Sequence, residues 1–168
     1  MAEHPELDEF AKFGAVFDRE SDRGAALVAA AMLDDRLKAM LAAFLIDSSE
    51  AEQLLAGFNA PLGTFSARAS AAMALGLLER HEFDEISLIR KIRNEFGHAW
   101  ETIPFETGKV ADLVGRLPWL GPPEFEQGAT KRARFNAAVA ILLVDLMWRV
   151  RLITAERRVE RTWPNKTR

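Results

Sequence analysis

Cysteine is absent from the chain. That removes disulfides, thiolate nucleophiles and cysteine metal clusters, and it suits a reducing cytoplasm. Nothing else in the sequence calls for a metal or a cofactor. Long apolar runs are missing too: the longest segment, Ala137 to Trp148, is interrupted by Asp145 and falls short of the ~20 residues that span a bilayer. The start, MAEHPELDEF, is acidic and carries no apolar stretch, so a signal peptide is not expected. No segment alternates apolar and polar residues with β-branched enrichment, no repeat recurs, and no glycine-rich phosphate loop occurs. A short helix pair joined by a glycine turn, the signature of a helix-turn-helix, is also lacking. The expectation is a soluble cytoplasmic protein with no membrane partner.

What remains is a helical pattern along the 168 residues, a length that can bury roughly two-thirds of the unfolded surface in one core. Leu7, Phe10, Phe13, Val16 and Phe17 are spaced for a first amphipathic helix. Ser21 or Asp22 can cap a second helix reaching about Ile46, apolar over most of its circumference and so expected to be buried. Within it Asp34, Asp35, Arg36 and Lys38 read as an exposed stripe. Ser48, Ser49 and Glu52 open a short helical turn to Phe58, and residues 59–63 read as a turn. Thr64 or Ser66 caps a helix to about Arg80, with Arg68 near a start where a cation opposes the helix dipole, which calls for a carboxylate or phosphate partner. Residues 102–128 hold too many prolines and glycines for a long element, and a short helix across Lys109 to Leu117 is the most they support. From Ala129 a helix is predicted to run to Arg161, about 45–50 Å, with its basic end projecting or packing on a second subunit. The predicted fold is all-α: one domain over residues 1–168, an antiparallel bundle with a long C-terminal helix and a basic tail at 157–168.

The stretch Glu82 to Trp100 looks central. Phe83, Ile86, Ile89, Ile92 and Phe96 make one apolar face, while Arg90, Asn94 and His98 form a separate row at i, i+4 and i+8. With Arg93 this sets permanent cations, an amide and an imidazole within about two helical turns. Charge is uneven along the chain. The net charge is −3, yet residues 1–60 carry 12 acidic and 5 basic side chains and residues 131–168 carry 3 and 10. Opposite ends pairing within the fold explain this, as does a surface for an acidic or phosphate-bearing partner. Candidate anion-binding residues are Arg68, Arg90, Arg149, Arg151, Arg157 and Arg158; Trp148 beside Arg149 and Arg151 reads either as core or as a stacking platform. His81 and His4 sit in a turn and a terminus and read as solvated.

Two resemblances follow. Ala60-Pro-Leu-Gly-Thr-Phe-Ser-Ala-Arg68, then Ala74-Leu-Gly-Leu-Leu78, then Leu88-Ile-Arg-Lys-Ile-Arg-Asn-Glu-Phe-Gly-His98 resemble the motif order of the mannitol operon repressor family, over about residues 21–125. That resemblance implies an all-helical bacterial transcriptional regulator without a recognised DNA-reading motif, acting through a protein or nucleic-acid partner. Separately, Arg93-Asn94-Glu-Phe-Gly-His98 resembles the R-N-x-x-x-H motif of HEPN domains, which include metal-independent ribonucleases and many non-catalytic members. This second resemblance implies a homodimer in which Arg93 holds the scissile phosphate, His98 exchanges the proton and Asn94 orients phosphate or histidine. Asp34 or Asp35 would be an acidic helper, and spacing does not select between them. The same residues also read as a purely structural set that ties helices together.

Overall fold

The computed structural model describes residues 5–164, with side chains from Leu7 onward; His4 and residues 165–168 of the basic tail lie outside the described residues. It is an all-helical bundle of α1 (Pro5–Phe17), α2 (Asp22–Phe44), α3 (Ser49–Leu55), α4 (Phe65–Ala74), α5 (Arg80–His98), α6 (Gly108–Gly115) and α7 (Lys131–Thr154), with one 3₁₀ turn at Pro123–Phe125. The organising element is α2, not the stretch 82–100: it packs against α1, α3, α4, α5 and α7. Its alanine-rich sequence is why. Ala25, Ala26, Ala29 and Ala30 are buried without bulk and let neighbouring helices come close, while Leu33, Leu37, Met40 and Leu41 fill the centre.

An aromatic chain crosses this core. Phe13 stacks on Phe17 at 4.9 Å, Phe17 meets Phe135 of α7 at 6.3 Å, Phe135 meets Phe105 at 4.8 Å, and Phe105 meets Phe96 of α5 edge-on at 5.0 Å. Each such pair adds about 0.5–1.5 kcal/mol beyond area burial. Phe105 is the residue that pins the proline- and glycine-rich segment to the body: it is fully buried, and its N–H donates to Asp22 at 3.0 Å. Trp119 and Leu120 of the same segment are half-buried and exposed, respectively.

Charged groups hold the helix ends together. Arg132 of α7 donates to Asp22 at 2.9 Å and to the carbonyls of Phe17 and Glu20, and lies over the Phe17 and Phe105 rings. The opposite charges of the two ends therefore meet, at this point, inside the fold. The stripe expected on α2 is exposed only in part. Asp35 is exposed, but Asp34 is half-buried on Arg68, and Arg36 is half-buried on Glu9.

Two helices end earlier than their patterns suggest. At Ala74 the chain turns through Gly76, at φ +74°, with Gly76 N–H donating to Met73 and Leu77 N–H to Ala72. This reversal, which glycine adopts without strain, caps the last carbonyls of α4. It also frees Arg80 to begin α5, whose start is fixed by a reciprocal cap between Glu79 and Glu82. α7 stops at Thr154 rather than Arg161, so it is about 36 Å long. Beyond Ile153 the inner face would present Glu156, Arg157 and Glu160, and no apolar residue remains to hold a further turn. The chain instead doubles back on its own α2: Arg158 N–H donates to the Phe44 carbonyl at 2.7 Å and its guanidinium sits over the Phe44 ring.

Candidate functional site

α5 divides its residues by face. Ile86, Ile89, Ile92 and Phe96 are fully buried, whereas Arg93 and His98 are exposed and Arg90 and Asn94 half-buried. The polar face looks toward the N-terminal half of α2. Its far end is held there by Arg23, whose guanidinium takes the carbonyl of Ala99 at 2.6 Å and that of Glu101, the two residues flanking Trp100. Lys109 of α6 pairs with Glu95 at 2.7 Å on another side of the helix.

Between α2, the start of α4 and α5 lies a hollow of about 480 Å³. Arg90, Arg93 and Asn94 line it from α5, Leu27, Ala30, Ala31 and Asp34 from α2, and Thr64, Phe65 and Ser66 from the first turn of α4. A second hollow of about 350 Å³, walled by Arg23, Leu27, Arg93, Asn94, Phe96, Gly97 and His98, adjoins it and shares Leu27, Arg93 and Asn94. Arg93 and His98 thus open on one common space. Arg93 donates to the Asn94 side-chain oxygen at 3.1 Å, so the amide orients the guanidinium.

Of the two acids left open by spacing, Asp34 is the one that lines this space; Asp35 lies in a separate hollow with Glu9, Lys12, Phe13 and Val16. Asp34 is already engaged through one oxygen by Arg68 at 2.6 Å, while its other oxygen is buried without a partner. Arg68 is itself buried and also donates to the carbonyls of Leu62 and Leu55, so the partner its position called for is a carboxylate inside the fold. Arg149 likewise binds the buried carboxylate of Glu82 and the Leu77 carbonyl. Arg151 stands over the ring of Trp148 at 5.3 Å, both exposed; Arg157 is exposed, and Arg158 lies on Phe44. None of these last four arginines lines either hollow. His81 is exposed beside Glu79.

Sequence reasoning did not find the buried acids of α5. Glu82 is paired by Arg149, but Glu85 is buried and its carboxyl is pushed above the ordinary range, first by burial, with Glu82 and Asp145 adding to the rise and His81 opposing it. An i, i+3 acid pair on the apolar side of a helix was the available signal. Among the described residues no three His, Asp or Glu side chains are arranged to hold a metal ion, and no helix is long and apolar enough to cross a membrane.

Comparison with known proteins yields a likeness of fold. No sequence family and no curated protein matches the chain. The fold is similar to that of MtlR in the X-ray structure of the MtlR-HPr complex from Escherichia coli. The TM-score is 0.59 at 19% identity, over 90% of this chain and 99% of that chain.

Proposed function

We propose that the chain is a transcriptional regulator of the mannitol operon repressor type that works by docking a protein partner. The observation that carries this reading is the fold shared along 99% of a chain whose structure is that of the MtlR-HPr complex. The motif order at residues 60–68, 74–78 and 88–98, which resembles that repressor family, supports it from the sequence side. The test is titration calorimetry of the full chain against the HPr protein of its own source organism. Saturable binding is expected; its absence overturns the reading, and retention instead of promoter DNA that weakens with salt would transfer the role to nucleic acid.

A second reading, a homodimeric HEPN-type ribonuclease, is favoured by the exposure of Arg93 and His98 on adjoining hollows with Asn94 between them. In that chemistry the Arg93 guanidinium holds the phosphate and neutralises its developing charge, and His98 takes the proton of the 2′-hydroxyl or returns it to the leaving oxygen. Single-stranded RNA should then be cut in the presence of EDTA, and His98→Ala should abolish cutting with the helical signal intact. Uncut RNA at high protein concentration overturns it.

A further inference from the structure

We propose that the hollow between α2, the start of α4 and α5 binds a small phosphomonoester with an apolar body. Three features converge on an anion. Arg90 is half-buried at the wall of the hollow, yet its guanidinium has no hydrogen-bond or ion-pair partner among the described residues. Other arginines held this deeply in the fold are engaged, Arg36, Arg68, Arg132, Arg134 and Arg149 by a carboxylate and Arg23 by two backbone carbonyls. Arg93 enters the same hollow next to it and engages only a neutral amide.

The second feature is the first turn of α4. Thr64 caps Ala67 N–H at 3.2 Å, but the N–H groups of Phe65 and Ser66 have no acceptor among the described residues, and that turn contains no acidic residue to answer the helix dipole. Phe65 and Ser66 line the hollow that the two arginines share. Charge counting gives the third. Asp34 is the only acid on the wall, and Arg68 already neutralises it, so Arg90 and Arg93 leave the hollow with two positive charges. A phosphomonoester dianion matches that charge and offers three oxygens to a fork, a second fork and a helix terminus. Opposite the cations the wall is apolar, made by Leu27, Ala30 and Phe65, which suits a ligand with an apolar or aromatic body rather than the bare ion.

The probe is phenyl phosphate, titrated into the full chain by calorimetry, with inorganic phosphate and benzoate for comparison. Saturable binding is expected for phenyl phosphate, weaker for inorganic phosphate, which leaves the apolar wall uncovered, and weaker for benzoate, which carries one charge. Arg90→Ala should weaken phenyl phosphate binding about tenfold or more, the loss of one charge-assisted contact, and Arg93→Gln should weaken it in the same direction. His98→Ala should leave it unchanged, so loss of RNA cutting in that variant with binding retained separates this site from the nuclease reading. Equal binding by Arg90→Ala and the parent chain, or no saturation by phenyl phosphate at about 10 mM, overturns the proposal.

Discussion

Replacing Arg68 by methionine should be among the most damaging single changes in this chain. Arg68 is 7% exposed, and its guanidinium makes three contacts, to Asp34 at 2.6 Å, to the Leu62 carbonyl at 2.9 Å and to the Leu55 carbonyl at 3.1 Å. Methionine restores the apolar stem but not the charge, and Asp34, one of whose oxygens is already buried without a partner, becomes an uncompensated carboxylate. Breaking a buried pair from one side costs about 3–5 kcal/mol. The Asp34 side chain keeps 27% exposure, so water recovers part of its solvation, and about 2–4 kcal/mol is the expected loss. In a domain of this size that corresponds to a melting point lower by about 5–15 °C. Urea denaturation followed by circular dichroism measures it. The double variant Arg68→Met with Asp34→Leu, which removes the stranded charge, should recover more than half of the loss. A single-variant loss under about 1 kcal/mol, or a double variant no more stable than Arg68→Met, would refute the reasoning.

Glu85 titrates against the fold. Its carboxyl is raised by burial, so the folded state holds the proton more tightly than the unfolded chain, and stability falls as pH rises from the unfolded carboxylate range through the folded value. Glu85→Gln should therefore be more stable than the parent at pH 7, an advantage that vanishes in acid below the unfolded value; denaturation at the two pH values measures it, and a gain that persists in acid contradicts it. Gly76→Ala should cost about 1 kcal/mol, seen as a lower denaturation midpoint. A Cβ there meets nothing within 4 Å, so the whole effect lies in the φ of +74°. Ending the chain after Glu156 removes the Arg158 contacts to Phe44 and should lower stability by about 1 kcal/mol; an unchanged midpoint would show that the returning tail holds nothing.

The helices were legible because their signal is local. Alanine- and leucine-rich periodicity, serine and threonine caps and the proline-glycine segment mark the starts of α2, α3, α4, α5 and α7 within a few residues. The misjudged ends depend on something periodicity does not carry. Helicity past Thr154 failed for want of a surface to bury, and Gly76 stopped α4 although Leu77 and Leu78 continue its apolar count and are buried in their own right. The Arg93, Asn94 and His98 set could be read because it lies within six residues of one helix. Which arginines are consumed inside the fold could not, since Arg68 reaches Asp34 across 34 residues and Arg132 reaches Asp22 across 110. Composition sees ten basic residues near the C-terminus, whereas the structure sorts arginines by partner.

That sorting makes a contrast that bears on function. Arg68, which does not line the hollow, answers Asp34, which does, whereas Arg90 lines it and answers nothing among the described residues. A cation that stabilises the fold must be matched inside it, so Arg90 contributes little to folding and Arg68 a great deal. Arg90→Ala should therefore shift the denaturation midpoint by no more than an ordinary surface change, about 0.5 kcal/mol either way, and can raise stability by relieving its repulsion with Arg93 one turn along α5. A half-buried charge that folding does not require is retained at a cost in solvation, and the solvation is recovered when an anion enters. If Arg90→Ala instead lost about 2 kcal/mol, Arg90 would have a partner within the chain, and the hollow would be a structural joint rather than a place for a ligand.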